Sequence, residues 1–401
     1  MKLKLKNSNI QKTIFGKILL EKEKKLPNIF FYDYEGTLLY EYTAAQFLAL
    51  SALPALPDRT NENLTCDGWN WTLLEIKNQI NNVGGDVNVG AIYHTTDGKT
   101  HITCRPTSSR PWAIICLTPT VANAVTIDWG DGSTDIWTST SQASKSHTYT
   151  GVTDSSVYDI TVSCSSGTYS FSTYIAGTAE NNKNYIYTDI RLSNKVTSLS
   201  TNCFNGCYYL QSITIPDGVT WSSKKFLNCY HLKSINIPGG VTNLGASCFQ
   251  NCYSLQSITI PNGITNLGNY CFYSCYSLQS ITLPNGITSL GNYCFDSCHQ
   301  LHQSIVIPNG VTILNEYCFD LCSLQSITIP SGVTDIKSNC LYSSYNLNKI
   351  YIKSTTPPTI ISNSLPDNNN LVIYVPTGTL ATYQSADTWS NYASKMVEYD
   401  Y

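Results

Sequence analysis

Sixteen cysteines are the most reactive side chains of this 401-residue sequence, and their spacing limits what they can do. Ten form five Cys-x3-Cys pairs: Cys203/Cys207, Cys248/Cys252, Cys271/Cys275, Cys294/Cys298 and Cys318/Cys322. Cys229 and Cys340 each keep one member of the pattern. A structural zinc site needs four ligands, and apart from Cys294/Cys298, which is followed by His299 and His302, no pair has a histidine or further cysteine close by within its repeat. Disulfides between neighbouring pairs are geometrically conceivable. Free cysteine also packs as a small hydrophobe, and the fixed spacing predicts two buried ladders of reduced thiols. The histidines, His94, His101, His147, His231, His299 and His302, sit in no nucleophile or metal motif, and no G-x-S-x-G, phosphate loop or H-E-x-x-H is present. The expectation is no enzyme, no cofactor and no metal. Asp128, Asp131 and Asp135 could gather Ca²⁺ through carboxylate oxygens, with turn chemistry as the other reading. Trp69 and Trp71 could form a sugar platform or anchor the start of a helix.

Tyrosine offers a different chemistry, that of binding. Tyr270, Tyr293 and Tyr317 each precede the first cysteine of a pair. Tyr253 and Tyr276 follow the second, in one column with Tyr208, Tyr230 and His299. Tyr273 stands just after a phenylalanine, at a position that varies between units and so suits an unconstrained surface. Large rigid rings carrying a hydroxyl make adhesive surfaces, so Tyr253, Tyr270, Tyr273, Tyr276, Tyr293 and Tyr317 are the candidate binding residues.

These residues are positioned by a repeat. Pro216, Pro238, Pro261, Pro284, Pro308 and Pro330 recur every 22 to 24 residues, the period of a leucine-rich-repeat solenoid. One unit cannot bury its apolar face, whereas a stack can. Each unit reads as a strand (LQSITI), a Gly-containing turn, a Val/Ile-Thr-x-Leu segment and a tight turn around CFxxC. Ile258 and Ile260 with their counterparts, and the column Phe204, Phe226, Phe249, Phe272, Phe295 and Phe319, are constant in type and should face inward. Ser257/Thr259, Ser280/Thr282 and their equivalents should form an exposed ladder of hydroxyls. Ile190 and Leu192 are expected in the first rung, Ile350 and Ile352 in the last. The tail should cap the stack, with Tyr383 and Trp389 on a helical segment.

The front of the chain divides into an arm (1–27), a small α/β module (28–106), a β-sandwich (107–178) and a polar linker (179–189), ahead of the solenoid (190–352) and cap (353–401). The lysine-leucine alternation at the start fits an edge strand. In the module, IFFYDYEGTLLYEYT predicts a hairpin, Thr43 a helix cap for AAQFLALSAL, and Leu73, Ile76 and Ile80 a second helix stopped by Gly84-Gly85. AIYHTTDGKTHITC predicts a hairpin turning at Asp97-Gly98.

Three resemblances follow from these residues. The repeat IPxGVTxLGxxCFxxCxSLxSI resembles the BspA-like leucine-rich repeats. TIDWGDGS, SHTY and YDITV (Asp128, Trp129, Gly130, Asp131, Gly132, His147, Tyr149, Tyr158) resemble a PKD-type immunoglobulin-like domain, which implies spacing or binding. FYDYEGTLLYEYTAAQFLALSALP with DGWNWTLLEIKNQI resembles an N-terminal module of tail-fibre-like structural proteins of phages and prophages of gut Firmicutes. The expected fold is therefore multidomain and mainly β, ending in a solenoid. A net charge of −3 gives no reason to expect nucleic acid, and no apolar run approaches the roughly 20 residues that span a bilayer. The basic start lacks the apolar stretch and cleavage site of a signal peptide. If Met1 is the true start, retention in a cytoplasm is expected, or exit by another route. Together these features predict a virion protein, such as a tail fibre, receptor-binding or decoration protein. It would be held to other virion or tail proteins through its N-terminal region, it would bind a bacterial surface glycan or protein through the solenoid, and a homo-oligomer such as a trimer is expected. The alternatives are a bacterial cell-surface adhesin, implied by the BspA-like repeats, and a non-catalytic accessory module of a glycan-active enzyme.

Overall fold

The computed structural model describes residues 28–82, 86–172, 186–219, 221, 224–361 and 363–400. The N-terminal arm, Gly84-Gly85 and most of the polar linker lie outside these residues. The described chain is mainly β and ends in a long β-solenoid.

The front module is a four-stranded sheet with two helices. Strands β1 (Asn28–Tyr32) and β2 (Leu38–Thr43) pair antiparallel around the Glu35-Gly36 turn. Thr43 and Gln46 form a reciprocal capping box at the start of α1 (Ala44–Leu48). This helix stops well short of Pro54, because Ala49 already closes its last turn. Strand β3 (Leu64–Trp69), α2 (Leu73–Asn82) and β4 (Val87–Thr95) complete the unit in the sheet order β2-β1-β4-β3. Phe31, Phe47, Trp71, Ile76, Val87 and Val89 form its core.

The expected hairpin at Asp97-Gly98 does not form. The turn is made, with Asp97 Oδ1 accepting the Lys99 N–H at 3.0 Å. However, β5 (Thr100–Cys104) then leaves β4 and enters the next sheet. His101 secures the departure by bonding Asp97 at 3.0 Å and Asp159 at 2.8 Å.

That next region is built from two sheets. The strands are β6 (Trp112–Pro119), β7 (Val125–Asp128), β8 (Thr134–Trp137), β9 (Ala143–Thr148), β10 (Tyr158–Cys164), β11 (Tyr169–Ser172), β12 (Tyr187–Arg191), β13 (Val196–Leu199) and β14 (Ser212–Thr214). They are ordered β14-β12-β5-β10-β7-β8 and β13-β11-β6-β9. Trp129, Trp137, Tyr149, Ile160 and Phe171 are buried in a core that continues without a break into the solenoid. The junction is a shared sheet, because β14, a strand of the repeats, pairs in parallel with β12.

In the solenoid, β15 (Ser234–Asn236) pairs in parallel with 257–259, and later rungs align likewise at 305–306, 326–329 and 349–352. Each rung buries an isoleucine, and the phenylalanine column stacks with ring centroids 5.0–5.4 Å apart. Gly268 and Gly291 lie where a Cβ would sit about 2.5 Å from the backbone of the preceding rung, so close stacking requires glycine there. Ile350 and Ile352 are not the final rung. Val372–Pro376 and Met396–Tyr399 extend the sheet in parallel. They lack the Cys and Phe columns, which hid them from the repeat pattern. Tyr383 and Trp389 do lie on short helical segments, donating to the carbonyls of Ser354 at 2.9 Å and Pro358 at 2.6 Å.

Candidate binding surface

The cysteines of the repeat columns are core residues. All sixteen cysteines are free thiols, and those of the paired columns are buried. From Cys229 onward the second-cysteine column donates its S–H to the phenylalanine carbonyl of the preceding rung: Cys229 to Phe204, Cys252 to Phe226 and Cys275 to Phe249 at 3.2 Å, Cys298 to Phe272 at 3.3 Å, and Cys322 to Phe295 at 3.1 Å. Where the column changes to Ser344, the hydroxyl makes the same bond to Phe319 at 2.6 Å. Burial pushes these thiols well above their ordinary pKa and keeps them protonated and unreactive. One rung replaces the first cysteine with Lys225, a buried cation whose Nζ donates to the carbonyls of Leu199 and Ser200.

The three aspartates do not converge. Asp128 accepts the Gly130 N–H at 2.9 Å, Asp131 pairs with His147 at 2.7 Å, and Asp135 accepts from Trp129 Nε1 at 2.9 Å and Lys145 Nζ at 3.0 Å. Among the described residues no group of three or more metal-ligating side chains comes together.

The tyrosine columns are ladders. Tyr270, Tyr293 and Tyr317 stack face to face with centroids 4.8 and 4.5 Å apart and planes within 7°. Tyr208, Tyr230, Tyr253, Tyr276 and His299 form a second stack at 4.5 to 5.1 Å. Tyr273 stands edge-on to Tyr270 at 5.7 Å. Burial, and then the neighbouring Tyr276 and Tyr273 phenols, raise the Tyr253 pKa. The six candidates therefore fall into two stacks, Tyr253 and Tyr276 in one and Tyr270, Tyr273, Tyr293 and Tyr317 in the other. Tyr270 and Tyr276 are exposed and the other four half-buried. The position after phenylalanine is not uniformly an open surface: Asp296 and Asp320 are buried there. Burial, and then the neighbouring Asp320 charge, push Asp296 up to about 6.

The first ladder has an unusual backbone. Tyr270, Tyr293 and Tyr317 adopt φ of +59°, +57° and +56°, the left-handed region. Other rungs place Asn202, Lys224, Ser247 and Asn339 at this position, and asparagine visits that region more readily than bulky residues do.

The hydroxyl ladder on the strand face is the largest departure from expectation. Much of it is covered by the front module. Trp71 is buried there and donates Nε1–H to the Ile260 carbonyl at 2.7 Å. Asn70 Nδ2 donates to Thr259 Oγ1 at 2.9 Å, Gln79 Nε2 to the Leu283 carbonyl at 2.9 Å, and Asn236 Nδ2 to the Ala91 carbonyl at 2.8 Å. The Asn88 N–H donates to Thr282 Oγ1 at 2.7 Å. Gly90 permits the approach, since a Cβ there would stand 2.4 Å from both Asn236 Cγ and Thr259 Oγ1. The tryptophan pair is thus neither platform nor simple helix anchor: Trp69 holds the Pro54 carbonyl at 3.1 Å inside the module, and Trp71 fastens the module to the solenoid. On the last rungs, Ser304 is exposed and Ser326 half-exposed.

The repeats match a known family. The model for the BspA type leucine rich repeat region matches in six copies, over residues 181–302 and 301–386. The chain belongs to the BspA-type leucine-rich-repeat family. Among solved structures, a leucine-rich repeat protein from Bacteroides ovatus is 23% identical, with 56% of this chain and 69% of that chain covered at a TM-score of 0.37. The leucine-rich repeat protein of T. pallidum is 22% identical, with 54% and 90% covered at 0.33. A leucine rich cell surface protein from Faecalibacterium prausnitzii is 19% identical, with 52% and 85% covered at 0.28. No curated protein matches the chain as a relative. The family match begins at residue 181.

Proposed function

We propose that this BspA-type chain is a non-catalytic adhesion protein of a bacterial surface, engaging a glycan or protein partner through the tyrosine ladders of its solenoid. The observation that carries this reading is the first ladder. A non-glycine residue in the left-handed region costs on the order of 1–3 kcal/mol, while an aromatic pair returns roughly 0.5–1.5 kcal/mol beyond its buried area. On a surface that remains partly open, backbone preference alone would favour the asparagine found at Asn202 and Asn339. Three tyrosines in succession point to selection for what they present outward.

The virion reading rests on the basic start without a signal peptide, the reduced cysteines and the resemblance of the N-terminal module to tail-fibre-like proteins, and none of these fixes where the chain is mounted. The docking of that module on the solenoid, and a family match confined to residues 181–386, favour the surface adhesin instead. Residues 107–178 are read as a PKD-like unit, supported by the buried Trp129 and Tyr149 and the Asp131–His147 pair. The test is adhesion of beads coated with the full chain to bacterial and epithelial surfaces. Changing Tyr270, Tyr293 and Tyr317 together to Ser should reduce adhesion at least tenfold with an unchanged far-ultraviolet circular dichroism spectrum. Undiminished adhesion would overturn the assignment of the ladder.

A further inference from the structure

The front module ends before the strand face does. Beyond it lies a surface trough of about 460 Å³ whose lining includes Ser304, Gln325, Ser326, Asn346, Asn348 and Tyr351. Ser304 also lines the crevice where the trough meets Gln79 and Asp86 of the module. At the far side Tyr351 stacks on Tyr374 at 4.5 Å, with Tyr399 edge-on to Tyr351 at 5.5 Å.

We propose that this trough is a binding site for a neutral oligosaccharide. Three observations carry the assignment. First, the lining contains no carboxylate; apart from Lys349 and His302 it consists of hydroxyl, amide and phenol groups. Such groups both donate and accept, which matches sugar hydroxyls and gives little purchase to a strongly charged ligand. Second, the polar groups are held in place. Ser326 donates to Ser304 at 2.7 Å, Asn346 to Ser323 at 3.3 Å, and Asn368 fixes Asn348 Oδ1 at 3.2 Å. His302 Nδ1 is engaged by the Gln300 carbonyl at 2.6 Å. Pre-ordering of this kind lowers the cost of binding. Third, the preceding rungs already display what this face binds. There the equivalent hydroxyls of Ser280 and Thr282 are engaged by uncharged groups, Asn88 Nδ2 at 3.3 Å and the Asp86 carbonyl at 2.9 Å. Tyr351 adds the aromatic wall against which the C–H face of a sugar ring packs, a feature that favours a sugar over an extended peptide.

The site is separate from the tyrosine ladders, so its test is independent of adhesion. The full chain is titrated by ligand-observed NMR against maltoheptaose, cellohexaose, laminarihexaose and mannohexaose. A hyaluronan oligosaccharide and an uncharged Ser/Asn-rich peptide serve as comparison ligands. At least one neutral oligosaccharide should bind, with affinity lowered tenfold or more by Gln325→Ala with Asn346→Ala, and lost on Ser304→Tyr, which fills the trough. Both variants change exposed side chains and should melt within a few degrees of the parent. Three results would each overturn the proposal: no binding by any neutral oligosaccharide, binding that both variants leave intact, or binding confined to the peptide or to hyaluronan.

Discussion

Inside the solenoid, the second-cysteine column from Cys229 to Cys322 acts as a row of hydrogen-bond donors. Each S–H meets a buried phenylalanine carbonyl that would otherwise lack a side-chain partner, and Ser344 makes the same bond in its own rung. Replacing Cys275 with Ala removes that donor and a sulfur-sized volume, at an expected cost of about 2–3 kcal/mol. Cys275→Ser keeps the donor and should cost less, reversing the usual preference for Ala over Ser in an apolar core. Thermal unfolding of the two variants compares them directly; equal losses would mean that the bond contributes nothing. Asp296 supplies a second prediction. Its folded pKa of about 6 lies above the ordinary carboxylate range, so the protonated form suits the fold. Stability from this group is fully present below about pH 4 and is lost as pH rises through 6. Asp296→Asn should raise stability at pH 8 by about 1–2 kcal/mol and flatten the pH dependence between 4 and 7. Denaturant midpoints at pH 4, 6 and 8 measure both effects, and an unchanged pH profile would remove Asp296 from the account.

At the scale of elements, β4 and the turn leading into α2 act as a clamp on the strand face. Trp71 and Gly90 are its critical positions, one filling a buried site and the other leaving room for it. Trp71→Ala should cost about 3–5 kcal/mol and Gly90→Ala about 1–3 kcal/mol through overpacking against Asn236 and Thr259. In both variants hydrogen exchange should quicken in β4 and in strands 234–236 and 257–259, while rungs beyond residue 305 keep their protection. Uniform protection in Gly90→Ala would show that the clamp tolerates the extra methyl group. How far such elements can be read from sequence follows from repetition. Phe249, Cys252 and Ile258 declare themselves because their types recur at a fixed period. The same holds for Tyr270 and Tyr293, whose stacking follows from rungs lying one strand apart. The clamp has no such signal. Asn70, Trp71 and Asn88 meet partners 167 to 194 residues away, and no local pattern records a contact at that distance. The one hint was Gly90 within an otherwise apolar strand, a position where glycine often marks close approach of another backbone.

At the scale of the whole molecule, one apolar core runs from the paired sheets through every rung to Tyr383 and Trp389. The β12–β14 pairing joins these parts through a shared sheet rather than by a flexible tether. The solenoid therefore has two distinct surfaces, one covered and one open. The strand face is partly used by the chain itself, and the outward tyrosine ladders stay partly exposed. The sequence showed the outward direction of Ser257 and Thr259 but not their cover, because alternation reports which way a side chain points and not what it meets.

The clamp also imposes an order of events on the newborn chain. Trp71 is synthesised 189 residues before Ile260, the residue whose carbonyl it must bind. The front module leaves the ribosome with its docking face exposed, and it must wait while the intervening sheets and the first rungs are translated. At roughly 5–20 residues per second that wait is on the order of ten seconds or more. During it, Trp71 and the uncovered edge of β4 are open to misassociation. A ribosome-bound chaperone that shields aromatic segments would act on this interval, and slow translation between residues 90 and 283 would lengthen it.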